Sequence, residues 1–224
     1  MAEGSSDWFR RQFAAKFDEQ ADKIGRFNLA IFGKTGVGKS TLINAIFGED
    51  LAETGIGEPV TRDSHLYMHH SGHFGVLDTR GLEIGQDNEV ILDDLKRYVR
   101  EMRRLDLKDQ VHVAWYCVRA SDRRFEDTEA AFIRALDDLG LPVLLVMTQV
   151  PQRKGSYHPD AVRLAQEITA LELPITGGVP FMTYAKPDEF AGFEAHGLQA
   201  VSYTHLTLPT TLNSWRCGGG GGGW

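Results

Sequence analysis

The sequence predicts an α/β fold, a mostly parallel sheet flanked by helices. Two observations carry this. Between residues 26 and 200, short apolar runs alternate with helical patterns. The first of those runs also leads through a glycine-rich turn directly into a helix. With 224 residues, 42% hydrophobic and 25% charged, the chain suits one domain of this class with a substantial core.

Taken in order, residues 3–24 read as an amphipathic helix, because Phe9, Phe13 and Phe17 recur every four residues and Ile24 extends the stripe. Residues 1–25 are therefore expected to form an N-terminal helical extension packed on the following domain or on a partner. Strands are predicted at 26–32, 64–70, 73–77, 111–118, 142–148 and 179–183, and helices at 39–47, 88–104, 126–139 and 159–171. "HLYMHH" and "HFGVLD", separated by Ser71-Gly72, suggest an antiparallel hairpin at one sheet edge. Ser121 or Asp122 is expected to cap the helix at 126–139. No internal repeat is apparent.

A formal charge of −7 argues against a broad nucleic-acid surface while leaving room for a local basic patch. No apolar run approaches the ~20 residues of a membrane span, and the N-terminus lacks a signal peptide's apolar core. The two cysteines, Cys117 and Cys217, form no disulfide or zinc pattern. A reducing, cytoplasmic setting is the expectation. His65, His69, His70 and His73 cluster near the hairpin. His69 and His70 must face opposite sides of a strand, so they read as edge residues rather than metal ligands. Cys117, inside an apolar strand, reads as a buried small residue.

The end of the chain has a different character. "VSYTHLTLPT", Val201 to Thr210, resembles the conceptual translation of a transposase-type sequencing adapter, and Gly218 to Gly223 resemble poly-G read-through. Residues 201–224 are therefore expected to be a non-native tail, and Trp215, Cys217 and Trp224 to carry no functional information. Without Arg216 the formal charge becomes −8, and the native chain is expected to continue past residue 200.

"GKTGVGKST", Gly33 to Thr41, fits G-x-x-x-x-G-K-S/T between a β run and a helical run, the context this motif requires. Gly33, Gly36 and Gly38 let backbone N–H groups turn inward around phosphate oxygens, with Thr35, Val37 and Thr41 completing the loop. Lys39 is expected to bridge β- and γ-phosphates, and Ser40 to place its hydroxyl on Mg²⁺.

The combined pattern "GKTGVGKSTLINAIFG … PVTRD … VLDTRGL" resembles the Era-like (TrmE–Era–EngA-type) GTPases, in the branch described as ribosome-binding. The resemblance spans residues 26–200, most strongly 26–83, and implies a P-loop NTPase G domain that hydrolyses GTP to GDP and acts as a switch. It implies that Thr61 joins Mg²⁺ and meets the γ-phosphate, that Asp78 holds Mg²⁺ through water, and that the Gly81 N–H bonds the γ-phosphate. Loops 49–63 and 80–88 then order with GTP and relax after hydrolysis. Leu82 follows Gly81 where Ras-like enzymes carry a water-orienting glutamine, and Gly36 stands where some relatives place a potassium-binding asparagine. Arg80 reads either as an internal arginine finger or as a solvent-facing switch residue. A low intrinsic rate, raised by a partner or by dimerisation, is implied, with the ribosome or an activator protein as the partner class.

The base-reading motif departs from the family. Its N/T-K-x-D pattern appears as Thr148-Gln149-Val150-Pro151. Pro151 has no side-chain acceptor, and burying guanine's donors without one costs on the order of 1–3 kcal/mol. "TYAKPDEF" matches the family's S-A-K at Ala185-Lys186, implying that the alanine N–H meets guanine O6. Asp188 and Asp160 are candidate replacement carboxylates. Guanine nucleotide remains the expected ligand. An ATP or mixed-nucleotide hydrolase, and a nucleotide-bound interaction module with negligible turnover, stay open as alternatives.

Overall fold

A computed structural model describes residues 25–47, 57–59, 65–68, 72, 74–78, 93, 96–97, 99–104, 106–122 and 124–207. The expected N-terminal helix, Thr61, His69, His70, His73, Arg80, Gly81 and Leu82 lie outside these residues.

Seven strands form one sheet. β1 (Phe27–Phe32), β4 (Phe74–Asp78), β5 (Val113–Arg119), β6 (Val143–Thr148) and β9 (Phe181–Met182) run parallel. β2 (Gly57–Pro59) and β3 (His65–Met68) continue the sheet antiparallel. The order is β2-β3-β4-β1-β5-β6-β9. The strands read as near-continuous apolar runs because both faces are covered: every residue of β1 and β6 is buried.

Alternation along the central strands divides the core in two. Ala30, Phe32, Tyr116, Val118, Leu145 and Met147 face α2 (Asp127–Asp138) and α3 (Pro159–Ala170), which contribute Phe132, Ile133, Leu136, Leu164 and Ile168. Leu29, Ile31, Trp115, Cys117, Leu144 and Val146 face the other way, onto Leu42, Ile43 and Ile46 of α1 (Lys39–Phe47). The result is the expected three-layer α/β arrangement.

Boundaries mostly fall within a residue or two of those predicted, and the differences have local causes. The hairpin is present as β3–β4, but β2 lies outside it and forms the edge. β2 sits inside the segment read as a loop; three residues ending in Pro59 show no two-residue period. β7 (Gln152–Arg153) and β8 (Ser156–Tyr157) form a small hairpin turned by Lys154 and Gly155, both at positive φ (48° and 80°). Of the segment 88–104, residues 93, 96–97 and 99–102 are helical where described. Neither Ser121 nor Asp122 caps α2. Glu126 does so, in a reciprocal capping box with Glu129, while Asp122 pairs with Arg119. α4 (Leu198–Thr207) runs across residue 201; its Val201 is buried on the α1 side, three residues from Leu198, a spacing that any apolar pair on a helix supplies.

Where β1 and β5 begin, Asn28 and His112 form a buried polar seam. The Asn28 N–H donates to His112 Nδ1 at 2.9 Å, and Asn28 Nδ2 donates to the carbonyls of Lys108 (2.8 Å) and Gln110 (2.9 Å). Phe27 stacks on the imidazole at 5.0 Å. Burial holds the His112 pKa down at about 4, against an ordinary 6.5, so the folded ring stays neutral where an unfolded one takes up a proton. Stability from this group is complete above pH 6.5 and is lost as pH falls through the window to about 4. The full window is worth roughly 3 kcal/mol at 1.36 kcal/mol per unit. Urea unfolding at pH 7.0, 6.0, 5.0 and 4.5 is expected to show this loss in the unmodified protein. In His112→Phe, lower in stability at pH 7.0 because Asn28 N–H loses its acceptor, that component of the slope should vanish.

Candidate functional site

Four strand ends meet on one edge of the sheet. β1 ends at Phe32 before Gly33; β4 ends at Asp78, in register with Ile31; β5 and β6 end with Arg119 opposite Thr148. In open α/β sheets this carboxyl edge is where ligands bind. The loop from Gly33 to Gly38 crosses it and enters α1 at Lys39.

The loop's shape depends on two of its glycines for different reasons. Gly33 (φ +132°) lies so close to β5 that an added Cβ would sit 2.3 Å from the Cys117 carbonyl oxygen. Gly36 (φ +78°) faces open space, so only its backbone conformation demands glycine. Val37 is buried and roots the loop in the α1-side core. The Thr148 hydroxyl lies within hydrogen-bond distance of the carbonyls of Val37 and Val118, so the end of β6 is tied to both the loop and β5.

Lys39 Nζ folds over the loop and donates to the carbonyls of Gly33 (2.7 Å) and Lys34 (3.0 Å). Thr35, Gly36, Ser40 and Thr41 are exposed around it, with Gly38 half-buried. Glycine-freed N–H groups, a lysine, and the N-terminus of α1 together make a cradle suited to a polyphosphate. Ser40, exposed on the first turn of α1, would supply a hard oxygen donor of the kind magnesium takes, and Asp78 stands in the chain at the end of β4.

A second anchoring group was not legible in the motif. Lys34 Nζ pairs with Glu126 Oε1 at 3.0 Å and approaches Glu129 Oε2 at 3.6 Å. Glu129 is buried, and the Tyr116 hydroxyl donates to its Oε1 at 3.3 Å. Burial raises the Glu129 pKa, opposed by the Glu126 N–H and the Lys34 charge. Lys34 hydrogen bonding holds the Glu126 carboxyl below its usual range. The capping-box pattern E-x-x-E was the available signal. Cys117 is no nucleophile: burial pushes its thiol up to about 12, only partly opposed by the Lys39 charge.

Beside the cradle opens a cavity of about 420 Å³, lined by Gly38, Thr41, Thr148, Gln149 and the run Tyr184 to Glu189. Backbone bonds hold this run next to β6: Thr183 N–H donates to Met147 O (2.8 Å) and Val150 N–H donates to Thr183 O (2.9 Å). Thr148, Gln149, Ala185 and Lys186 are thus brought together with Gly38 and Thr41 around one cavity. Gln149 adopts φ +53°, which turns the chain so that Val150 is buried. Pro151 is not part of the cavity wall; its carbonyl accepts from His158 N–H at 2.9 Å. Asp160 is not there either. It sits in the first turn of α3, bonded to Arg163 at 2.9 Å, so its candidacy as the base-reading carboxylate is corrected. Asp188 does line the cavity, together with Tyr184 and Glu189, two residues that no motif marks.

Comparison with known proteins agrees with this geometry. The family described as 50S ribosome-binding GTPase matches residues 28–149, more than half of the chain. GTPase Der of Brevibacillus brevis is 32% identical over 139 residues, covering 58% of this chain and 29% of that protein. The chain spans under a third of the length of the first curated relatives it matches. A solved structure of the chloroplast translocon components atToc33 and psToc159 superposes with a TM-score of 0.60 at 17% identity, covering 92% of this chain and 91% of that one. A probable GTP-binding protein engB superposes at 0.56 and 16% identity, covering 82% and 99%. These two likenesses establish the fold.

The contrast between two glycines tests the cradle. Gly33→Ala is expected to destabilise by roughly 2–4 kcal/mol, from the clash with a backbone oxygen and positive φ. Gly36→Ala should cost about 1 kcal/mol, from φ alone. Chemical unfolding of both variants checks the difference, and equal losses would contradict the described packing.

Proposed function

We propose that this chain, which belongs to the 50S ribosome-binding GTPase family, works as a GTP-driven switch that hydrolyses GTP to GDP. The observation that carries the reading is the cradle itself: a glycine loop pressed against β5, with Lys39 folded over it at the N-terminus of a helix.

Lys39 occupies two loop carbonyls, and a bound triphosphate offers stronger, charged acceptors in their place. In this reading Lys39 moves onto β- and γ-phosphate oxygens, while the N–H groups around Gly33, Gly36 and Gly38 hold the chain of phosphates. Magnesium, held by Ser40, Thr61 and Asp78, would supply neutralisation of the charge that gathers on the β–γ bridge. Thr61 and Gly81 sense the γ-phosphate, and their contacts disappear with it, which makes the surrounding loops the switch. Thr148 holds the β6 end to the loop, and Gln149 lays its aliphatic stem beside the base. Ala185 and Lys186 complete that pocket.

Leu82 leaves the attacking water without a side-chain partner at that position, so slow intrinsic turnover is part of the proposal. The family description makes the ribosome the first partner class to try, and association of two copies the second. A mixed-nucleotide hydrolase is the competing reading, favoured by Gln149 and Pro151 in the base motif.

Multiple-turnover phosphate release with GTP and with ATP, each with magnesium, separates these readings. Faster release at lower concentration is expected with GTP, and equal kcat/KM for the two nucleotides would favour the mixed reading. Lys39→Ala should weaken triphosphate binding by about 100-fold, the loss of two charged hydrogen bonds.

A further inference from the structure

The cavity beside the cradle has carboxylates on one wall. Guanine's Watson–Crick edge presents N1–H and a 2-amino group, both donors; adenine presents an unprotonated N1 and no 2-amino group. A carboxylate on the wall therefore rewards guanine and repels adenine. Pro151 cannot supply one, and Asp160 is bonded within α3. Two carboxylates remain on the wall, Asp188 and Glu189.

Asp188 is the one held in place. Its N–H and C=O exchange hydrogen bonds with Phe193, each at 2.9 Å, and its Oδ1 accepts from Ala191 N–H at 2.9 Å. The small hairpin carrying it closes again at Tyr184, whose N–H and C=O pair with His196 at 3.1 and 3.0 Å. His196 Nε2 in turn donates to the Val150 carbonyl at 2.8 Å. The hairpin is thus fastened to the residue immediately before Pro151. Its anchoring leaves Asp188 Oδ2 for a ligand, with the side chain's rotation already restricted by the Oδ1 bond. Glu189 is exposed, longer, and has no such restraint, so fixing it on a ligand costs more side-chain entropy.

We propose that Asp188 is the specificity-determining residue that accepts guanine's N1–H and 2-amino group, in a role that position 151 cannot fill. This rests on the nucleotide-binding reading above. The preference comes from a residue almost forty positions further along the chain, delivered by the hairpin at 184–196 rather than by the end of β6.

The test is equilibrium binding of GTP, xanthosine triphosphate and ATP to the full chain with magnesium, in competition with a fluorescent GTP analogue. Asp188→Asn keeps an oxygen for Ala191 N–H and turns an amide N–H₂ toward the base. GTP affinity should fall at least about tenfold, the loss of a charged hydrogen bond. Xanthosine triphosphate, with a carbonyl in place of the 2-amino group, should gain about tenfold, and ATP should not weaken, reporting an intact phosphate site. Asp188→Ala should lose GTP preference without gaining xanthosine triphosphate, and Glu189→Gln should change neither. An unchanged GTP-to-xanthosine-triphosphate ratio in Asp188→Asn, or a shifted one in Glu189→Gln, overturns the proposal while leaving the switch reading standing. Failure of the unmodified chain to bind any magnesium triphosphate overturns both.

Discussion

The approach of Gly33 to the Cys117 carbonyl is the contact on which the rest of the site depends. A loop that begins against the backbone of a neighbouring strand has no room for a side chain at that point. It can therefore hold its N–H groups at one fixed height above the sheet edge. The buried β5 makes this possible: Trp115 and Cys117 pack toward α1 and Tyr116 toward α2, so the strand cannot drift away to relieve the crowding. The apolar patterning of the central strands is what positions the polar loop.

Two tethers carry that constraint outward. Thr148 joins the loop at Val37 to the ends of β5 and β6, which couples the phosphate end of the site to the base end. Lys34 joins it to the start of α2, through Glu126 and the buried Glu129, with Tyr116 from β5 as a third partner. A buried carboxylate is costly unless it is paired and hydrogen-bonded, and Glu129 is both. These links give the loop a rigid frame on either side of Lys39. A ligand entering it then finds donors that need little rearrangement.

Much of this could be read from the sequence because its determinants are local. The strand–glycine loop–helix motif fixes Gly33 to Thr41, and β1, β5 and β6 declare themselves as apolar runs bounded by turns. Helix α1 begins and ends where its pattern does. What stayed hidden has non-local causes or too few residues to show a period. β2, β7 and β8 are two or three residues long and exist through pairing, not propensity. The cap of α2 was misplaced because a glutamate pair satisfied the helix start in place of the more common Ser or Asp. Asp160 and Asp188 looked equivalent as nearby carboxylates. Only the bridges from Asp188 to Phe193 and from Tyr184 to His196 separate them, and such pairings leave no trace in spacing.

The base end then differs from the phosphate end in kind. The cradle is built from consecutive residues, whereas the cavity draws on α1, the end of β6 and the hairpin after β9. The central claim is that Lys39 and the glycine loop grip a polyphosphate. A crystal structure of the chain with Mg²⁺ and a non-hydrolysable GTP analogue tests this most directly. The account predicts the phosphates inside the loop from Gly33 to Lys39, with Lys39 Nζ moved from the Gly33 and Lys34 carbonyls onto phosphate oxygens. Analogue bound elsewhere, or Lys39 still on those carbonyls beside an occupied site, would contradict it.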